Sequence, residues 1–348
     1  MTLAGRGGDL RQAVRVTIAV AIAYAAYRLL GLQQGYWAVF TVIIVMQGSI
    51  GSTLGAAVDR LVGTIAGAVL GGAAAMLFPR TVEGIAVALV LVVAIPTLTV
   101  ALRPQLRVAP ITAAILLLSQ PLGVPTIEFV TDRVIEIALG GFIGVLVSST
   151  IFRAPSRELV VARTAIVLEQ IADLLRAQAD GLELHQQVAL AADYAALRKA
   201  LTTVEAAMSD AERERASGLA ELDLSPAIPR TLWRVRNDVI QTIRTLEAPL
   251  ADSVAARLEA RTATLLRGEA DFAGRCAEAL RNRAAVDRTD RDALYVAFET
   301  EFRGLRDAGL IRPMDFDAAG RVFGLAFTLD RLHRDLADLA DRIDEAAR

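Results

Sequence analysis

The chain has 348 residues, 54% of them hydrophobic, and a net charge of −2. One cysteine, Cys276, excludes an internal disulfide and a cysteine-cluster metal site; one lysine, Lys199, with no glycine-rich loop before it, excludes an ATP phosphate cradle. The near-zero, evenly mixed charge argues against nucleic-acid binding.

A mean hydropathy of +0.44 hides two unlike halves. Residues 1–152 hold nine arginines and six acidic residues; residues 153–348 hold the other 28 basic and 33 acidic ones. That step in charge density marks a domain boundary near Phe152–Glu158. We read residues 1–152 as a transmembrane domain and 153–348 as a cytoplasmic helical domain, so the fold class is all-α.

In chain order the apolar runs lie at roughly 11–31, 35–50, 58–78, 83–101, 108–123 and 130–152. Each approaches the about 20 residues a helix needs to cross a bilayer core. Ala23–Ala25 in the first run resembles a leader cleavage site, but the run continues to Leu30 without a polar break, so a retained helix is expected. With the N-terminus inside, Arg6, Arg11, Arg15, Arg60, Arg103, Arg107, Arg153 and Arg157 are cytoplasmic, and only Arg28, Arg80 and Arg133 are outside. The positive-inside rule then places both termini, and the charged half, in the cytoplasm.

Two stretches of this half echo each other. At an offset of 73, Gln47, Asp59 and Arg60 match Gln120, Asp132 and Arg133, while Gly67 and Gly71 match Gly140 and Gly144. Three helices separate the copies, an odd number, so the second copy is inverted. Such 3+3 inverted repeats are a recurring plan of secondary transporters, with the substrate path where the repeats meet. Chance alignment of similar membrane helices is the bland alternative.

The linkers at 48–58 and 121–131 carry little charge. Either they re-enter the membrane against protein or a water-filled cavity, or they are tight surface turns in which Asp59 and Asp132 stabilise helix N-termini. On the first reading Gln47, Asp59, Arg60, Gln120, Asp132 and Arg133 line an anion path. Glu136, one turn into the sixth run, carries protons there or simply pairs with Arg133. Tyr36 and Trp37 suit an aromatic belt or stacking on a substrate. Gly63, Gly67, Gly71, Gly140 and Gly144 suit close helix packing. Pro96 predicts a kink, with Thr97 or Thr99 re-satisfying the backbone.

The charged half reads as helices broken near Gly181, at Leu224–Pro229 and at Leu310–Asp315. Leu329, Leu332, Leu336, Leu339 and Ile343 form one apolar stripe; Val188, Tyr194, Leu197, Leu201, Val204 and Met208 form another. An antiparallel bundle beneath the membrane is expected. His185 and His333 lie in charged segments without spaced partners and read as solvated, not as ligands. No nucleophile constellation, cofactor loop or metal site appears, so no enzyme is expected.

The stretch from Gly35 to Gly72 resembles the first membrane module of the fusaric acid resistance family, the aromatic acid exporters. The resemblance rests on Tyr36-Trp37, on Gln47 near the end of the second run, and on Arg60 to Thr64 entering the third. Leu232–Arg244 and Phe323–Ile343 resemble the family's cytoplasmic helices. The resemblance implies a multi-pass protein of the bacterial inner membrane. Larger members carry the unit twice; this chain carries it once, which implies a homodimer. The expected activity is efflux of organic anions, aromatic carboxylates foremost, driven by the proton gradient or the membrane potential. An organic-anion channel, or a scaffold acting through its cytoplasmic bundle, are the alternatives.

Overall fold

The computed structural model describes residues 6–100, 103–120, 124–186 and 191–346. Residues 101 and 121–123 of the expected spans, Val188 of the expected stripe and both chain ends lie outside the described residues. Among the described residues every regular element is helical. In order these are α1 (Arg6–Leu29), α2 (Tyr36–Val45), α3 (Ile50–Leu77), α4 (Val82–Val100), a 3-10 turn (Pro104–Val108), α5 (Ala109–Ser119), α6 (Thr126–Thr150), α7 (Ser156–Leu184), α8 (Ala191–Ala216), α9 (Ile228–Thr245), α10 (Asp252–Asn282), α11 (Arg291–Asp307) and α12 (Phe316–Glu345). Two compact units divide the chain: residues 1–156 with 210–221, and residues 157–209 with 222–348.

In the first unit α3 and α4 are both long and apolar enough to cross a bilayer. Helices α1 and α6, of 24 and 25 residues, have the length as well. The runs expected as spans at 35–50 and 108–123 are instead short helices: α2 has 10 residues and α5 has 11, about half a bilayer core at 1.5 Å per residue.

The next helix of each pair begins earlier than its apolar run. Ser49 starts α3 with a capping box, its hydroxyl accepting from the Ser52 N–H while Ser52 returns a bond to the Ser49 N–H. The linker expected at 48–58 is therefore mostly helix, and so is 126–131 at the start of α6. Asp59 and Asp132 are the tenth and seventh residues of α3 and α6, and cap neither. Helix α4 runs through Pro96, and the Thr97 hydroxyl donates to the Val93 carbonyl at 2.7 Å.

The two copies of the echo exchange partners. Helix α3 packs on α5, and α6 packs on α2. A Cβ at Gly67 would lie 2.8 Å from Thr112 Cβ and press on the Ala109 carbonyl; one at Gly140 would lie 2.8 Å from Thr41 Cβ and press on the Ala38 carbonyl. Gly71 likewise meets Ala113, and Gly144 meets Val45. The small cores repeat the pattern: Ala19, Ala23, Val42, Met46, Ile143 and Val147 join α1, α2 and α6, while Ala88, Val92, Ala113 and Ala74 join α4, α5 and α3.

Residues 210–221 belong with this unit, although their charge groups them with the second half. Glu214 is buried there, accepting from the Gly51 N–H at the start of α3 and from the N–H and hydroxyl of Ser156 at the start of α7. One carboxylate thus satisfies two helix N-termini.

In the second unit the stripe from Leu329 to Ile343 is buried, with α12 packed on α9. Leu197, Leu201, Val204 and Met208 are buried too, and Tyr194 half-buried. The break at 310–315 falls between helices and that at 224–229 overlaps the first two residues of α9, whereas α7 continues through Gly181. A further break after α10 has no glycine to announce it, because Arg283 takes the left-handed conformation itself at φ 52°. His333 is not solvated. Its Nδ1 lies 2.6 Å from Glu269 Oε1 and its ring stacks on Tyr295 at 4.3 Å. Arg291 completes this buried network: Nε reaches Glu269 Oε2 at 3.2 Å, a further N–H donates to the His333 carbonyl, and Cζ sits 4.3 Å over Phe272. His185 is exposed.

Candidate functional site

The buried stripe of α6 carries Phe129, Arg133, Glu136, Ile137, Gly140 and Gly144. Spacings of three and four place them on one face, so a guanidinium and a carboxylate sit among apolar and glycine contacts. Arg133 is 2% exposed and Glu136 1%. Their closest approach, Nη1 to Oε2, is 3.7 Å, an ion pair too long for a hydrogen bond.

Arg133 is held from elsewhere. Its Nη2 donates to Gln34 Oε1 in the turn before α2, and its Cζ lies 4.4 Å from the Trp37 ring and 5.6 Å from that of Phe129. Cation–π contact of this kind, when desolvated, is worth about 2 kcal/mol. Among the described residues, Arg133 Nε and Nη1 and both Glu136 oxygens are buried with no hydrogen-bond partner. So are Trp37 Nε1 and Thr41 Oγ1 on α2. Buried polar atoms are normally satisfied, and each one left open costs about 1–3 kcal/mol, more for charged groups. The site therefore keeps charged donors ready that the fold itself does not use.

Trp37 also borders an open groove. Tyr36, Trp37, Val93, Thr97, Ile111 and Leu118 are among the walls of a hollow of about 710 Å³, most of them apolar. Small-molecule sites are typically of this size and character, about 300–1,000 Å³.

The other residues expected along the path have separate partners. Gln47 is exposed and bonds back to the Ile44 carbonyl; Gln120 bridges the Val124 carbonyl and Thr126 Oγ1, fastening the entry to α6. Asp59 and Asp132 are exposed. Arg60 is half-buried with Nε unpartnered. In its copy Gly63 stands where the other has Glu136, and a Cβ there would already lie 3.1 Å from Val108 and 3.2 Å from the Gln105 carbonyl. A carboxylate has no room at that place, so only the second copy holds a buried pair.

Sequence reasoning missed Gln34, Glu214 and the role of Arg15. Arg15 is buried, donating at 2.9 Å to the Gln47 carbonyl and reaching those of Gly48 and Phe152, where α2 and α6 end. A cation suits helix C-termini, but its partners lie far along the chain and leave no local signal.

Residues 20–147 match the family model described as fusaric acid resistance protein-like. Over this stretch, which is less than half of the chain, it is similar to that family. The match runs from α1 to α6 and includes Arg133, Glu136, Trp37 and Gln34. With two helices long and apolar enough to cross a bilayer, this likeness points to a membrane protein of transport or resistance type. No curated protein matches the chain. The second unit lies outside the matched residues.

Proposed function

We propose that this chain, similar over residues 20–147 to the fusaric acid resistance family, exports organic anions, aromatic carboxylates foremost, across a bacterial inner membrane. One observation carries the reading: Arg133, buried and with open donors, lies against a tryptophan that lines a mostly apolar groove. A buried ionisable group in a membrane helix is costly and is functional by default. An aromatic carboxylate matches both parts, its ring facing the walls that include Tyr36 and Trp37 and its charge facing the guanidinium.

Glu136 serves as the built-in counter-ion. Without substrate it offsets the Arg133 charge, and its 3.7 Å approach is loose enough to yield to an incoming carboxylate. Six helices, α1 to α6, form the membrane module, with short α2 and α5 on the groove side and both chain ends in the cytoplasm by the arginine bias. An inside-negative potential of 100 mV gives an outgoing monovalent anion about 2.3 kcal/mol, and a proton gradient supplements it.

Inside-out vesicles containing the full chain test this. Labelled benzoate-class acids are expected to accumulate, uncharged analogues such as benzamides to be ignored, and Arg133→Gln to lose at least tenfold in uptake. Repeating the assay without a pH gradient separates coupled export from potential-driven flow. Uptake equal to that of empty vesicles, or unchanged in Arg133→Gln, overturns the reading.

A further inference from the structure

Helix α12 has two apolar faces in its first three turns; the fold fills one and covers the other only in part, where Phe302 meets Phe323 edge-on at 5.8 Å and Arg331 Cζ lies 5.9 Å from the Phe327 ring. Ala318, Val322, Leu325 and Leu329 are buried. On the opposite side Phe316 is 91% exposed, and Phe323 and Phe327 are exposed with it, at helical spacings of seven and four. Gly320 and Gly324 lie between them on the same face.

Those glycines have no explanation within the chain. Glycine inside a helix costs about 1 kcal/mol relative to alanine. Neither has a positive φ. A Cβ at Gly320 would meet nothing within 4 Å, and one at Gly324 would meet Thr245 at 3.7 Å, an ordinary contact. Phe316 borders two hollows, of about 420 and 800 Å³. Large side chains beside small ones and open hollows make a surface shaped to receive another helix at close range.

Charge says which helix. Asp317 and Arg321 flank Gly320 at the spacing that forms i,i+4 salt bridges, as Glu299–Arg303, Asp330–Arg334 and Asp338–Arg342 do here. Among the described residues Asp317 and Arg321 pair neither with each other nor with any other charge. An antiparallel second copy of α12, related by a dyad at Gly320, sets Phe316 of each copy against Gly324 of the other. It also brings Asp317 of each within about 3 Å, along the helix axis, of the level of Arg321 of the other. A twofold interface is self-complementary in this way, so a second copy matches the face in both shape and charge.

We propose that the Phe316–Phe327 face of α12 is the homodimer interface, packed antiparallel about Gly320. It does not rest on the transport reading.

The test uses full-length protein in detergent micelles. Gly320→Cys sits on the dyad, and the native Cys276 is buried with its thiol pushed up to about 12 by burial, so it stays silent to oxidants. Mild oxidation of Gly320→Cys is expected to give a covalent dimer, and adding Phe316→Asp to abolish it. By mass photometry Asp317→Arg and Arg321→Asp are each expected to weaken the dimer at least tenfold, and the two together to restore it. A monomeric wild type, a dimer that Gly320→Cys does not cross-link, or a dimer indifferent to both charge reversals overturns the proposal. So does a face occupied by lipid or an unrelated protein, which gives a single-copy mass and no cross-link.

Discussion

Among the described residues each unit holds one buried arginine–glutamate pair, and the two are finished to different degrees. In the second unit Glu269 receives Arg291 on one oxygen and His333 on the other, and Arg291 also reaches a carbonyl and a phenyl ring. In the first, among the described residues, Arg133 Nη2 donates to Gln34, while Arg133 Nε and Nη1 and both Glu136 oxygens have no partner within hydrogen-bond geometry. Burying charge is repaid only when its bonding capacity is filled. A filled pair is a fastening. On the proposed reading, the unfilled one, beside a tryptophan that borders a hollow, is completed by a ligand.

The largest effect should come from breaking the filled pair. Glu269→Ala leaves Arg291 buried without its carboxylate, and we expect a loss of about 3–5 kcal/mol in chemical denaturation of the full chain. Next come the glycines that bind the two copies in the first unit. Gly67→Val and Gly140→Val press on equivalent carbonyls, so each should cost about 1–3 kcal/mol, and by similar amounts, read from thermal melts in detergent. Unequal losses would show that the copies share sequence without sharing mechanics. Replacing Trp37 by Leu keeps the groove apolar and removes the aromatic face over Arg133. A five- to thirtyfold weaker apparent affinity for aromatic acids is expected, corresponding to about 1–2 kcal/mol of cation–π contact.

The smallest effect is a pH dependence confined to the second unit. Asp238, buried where α9 meets α12, has its carboxyl pushed up to about 7, first by burial and then by neighbouring Asp335. Its folded value lies above its unfolded one, so the folded state holds the extra proton. Stability from this group is greatest below the ordinary carboxylate range and is lost as pH rises toward 7. Asp238→Asn should therefore flatten the melting profile between pH 5 and 8 and raise the melting temperature most at pH 8. A profile unchanged by the substitution would contradict the assignment.

Periodicity made the helices readable. The stripe from Leu329 to Ile343 and the Gly67/Gly140 echo each depend on a repeat that a sequence displays directly. Capping decided where sequence reading went astray. Asp59 looked like the start of a helix that Ser49 begins ten residues earlier, and the apparent linker after Gln47 became α3. Long-range satisfaction was invisible. Glu214 serves N–H groups 163 and 58 residues away, and nothing near it in sequence marks it as buried. His333 was misjudged for the same reason, since Glu269 is 64 residues distant. Within the site, Arg133 and Glu136 were legible by type and spacing, but Gln34, 99 residues from Arg133, was not.

The most direct test replaces both members of the unfilled pair by apolar residues of similar size, Arg133→Met with Glu136→Leu, and measures melting temperature and aromatic-acid uptake on one preparation. A pair kept for ligand rather than for stability predicts a melting temperature unchanged or raised, with uptake abolished. Uptake that survives the double substitution would contradict the account, and so would a melting temperature falling as far as that of Glu269→Ala.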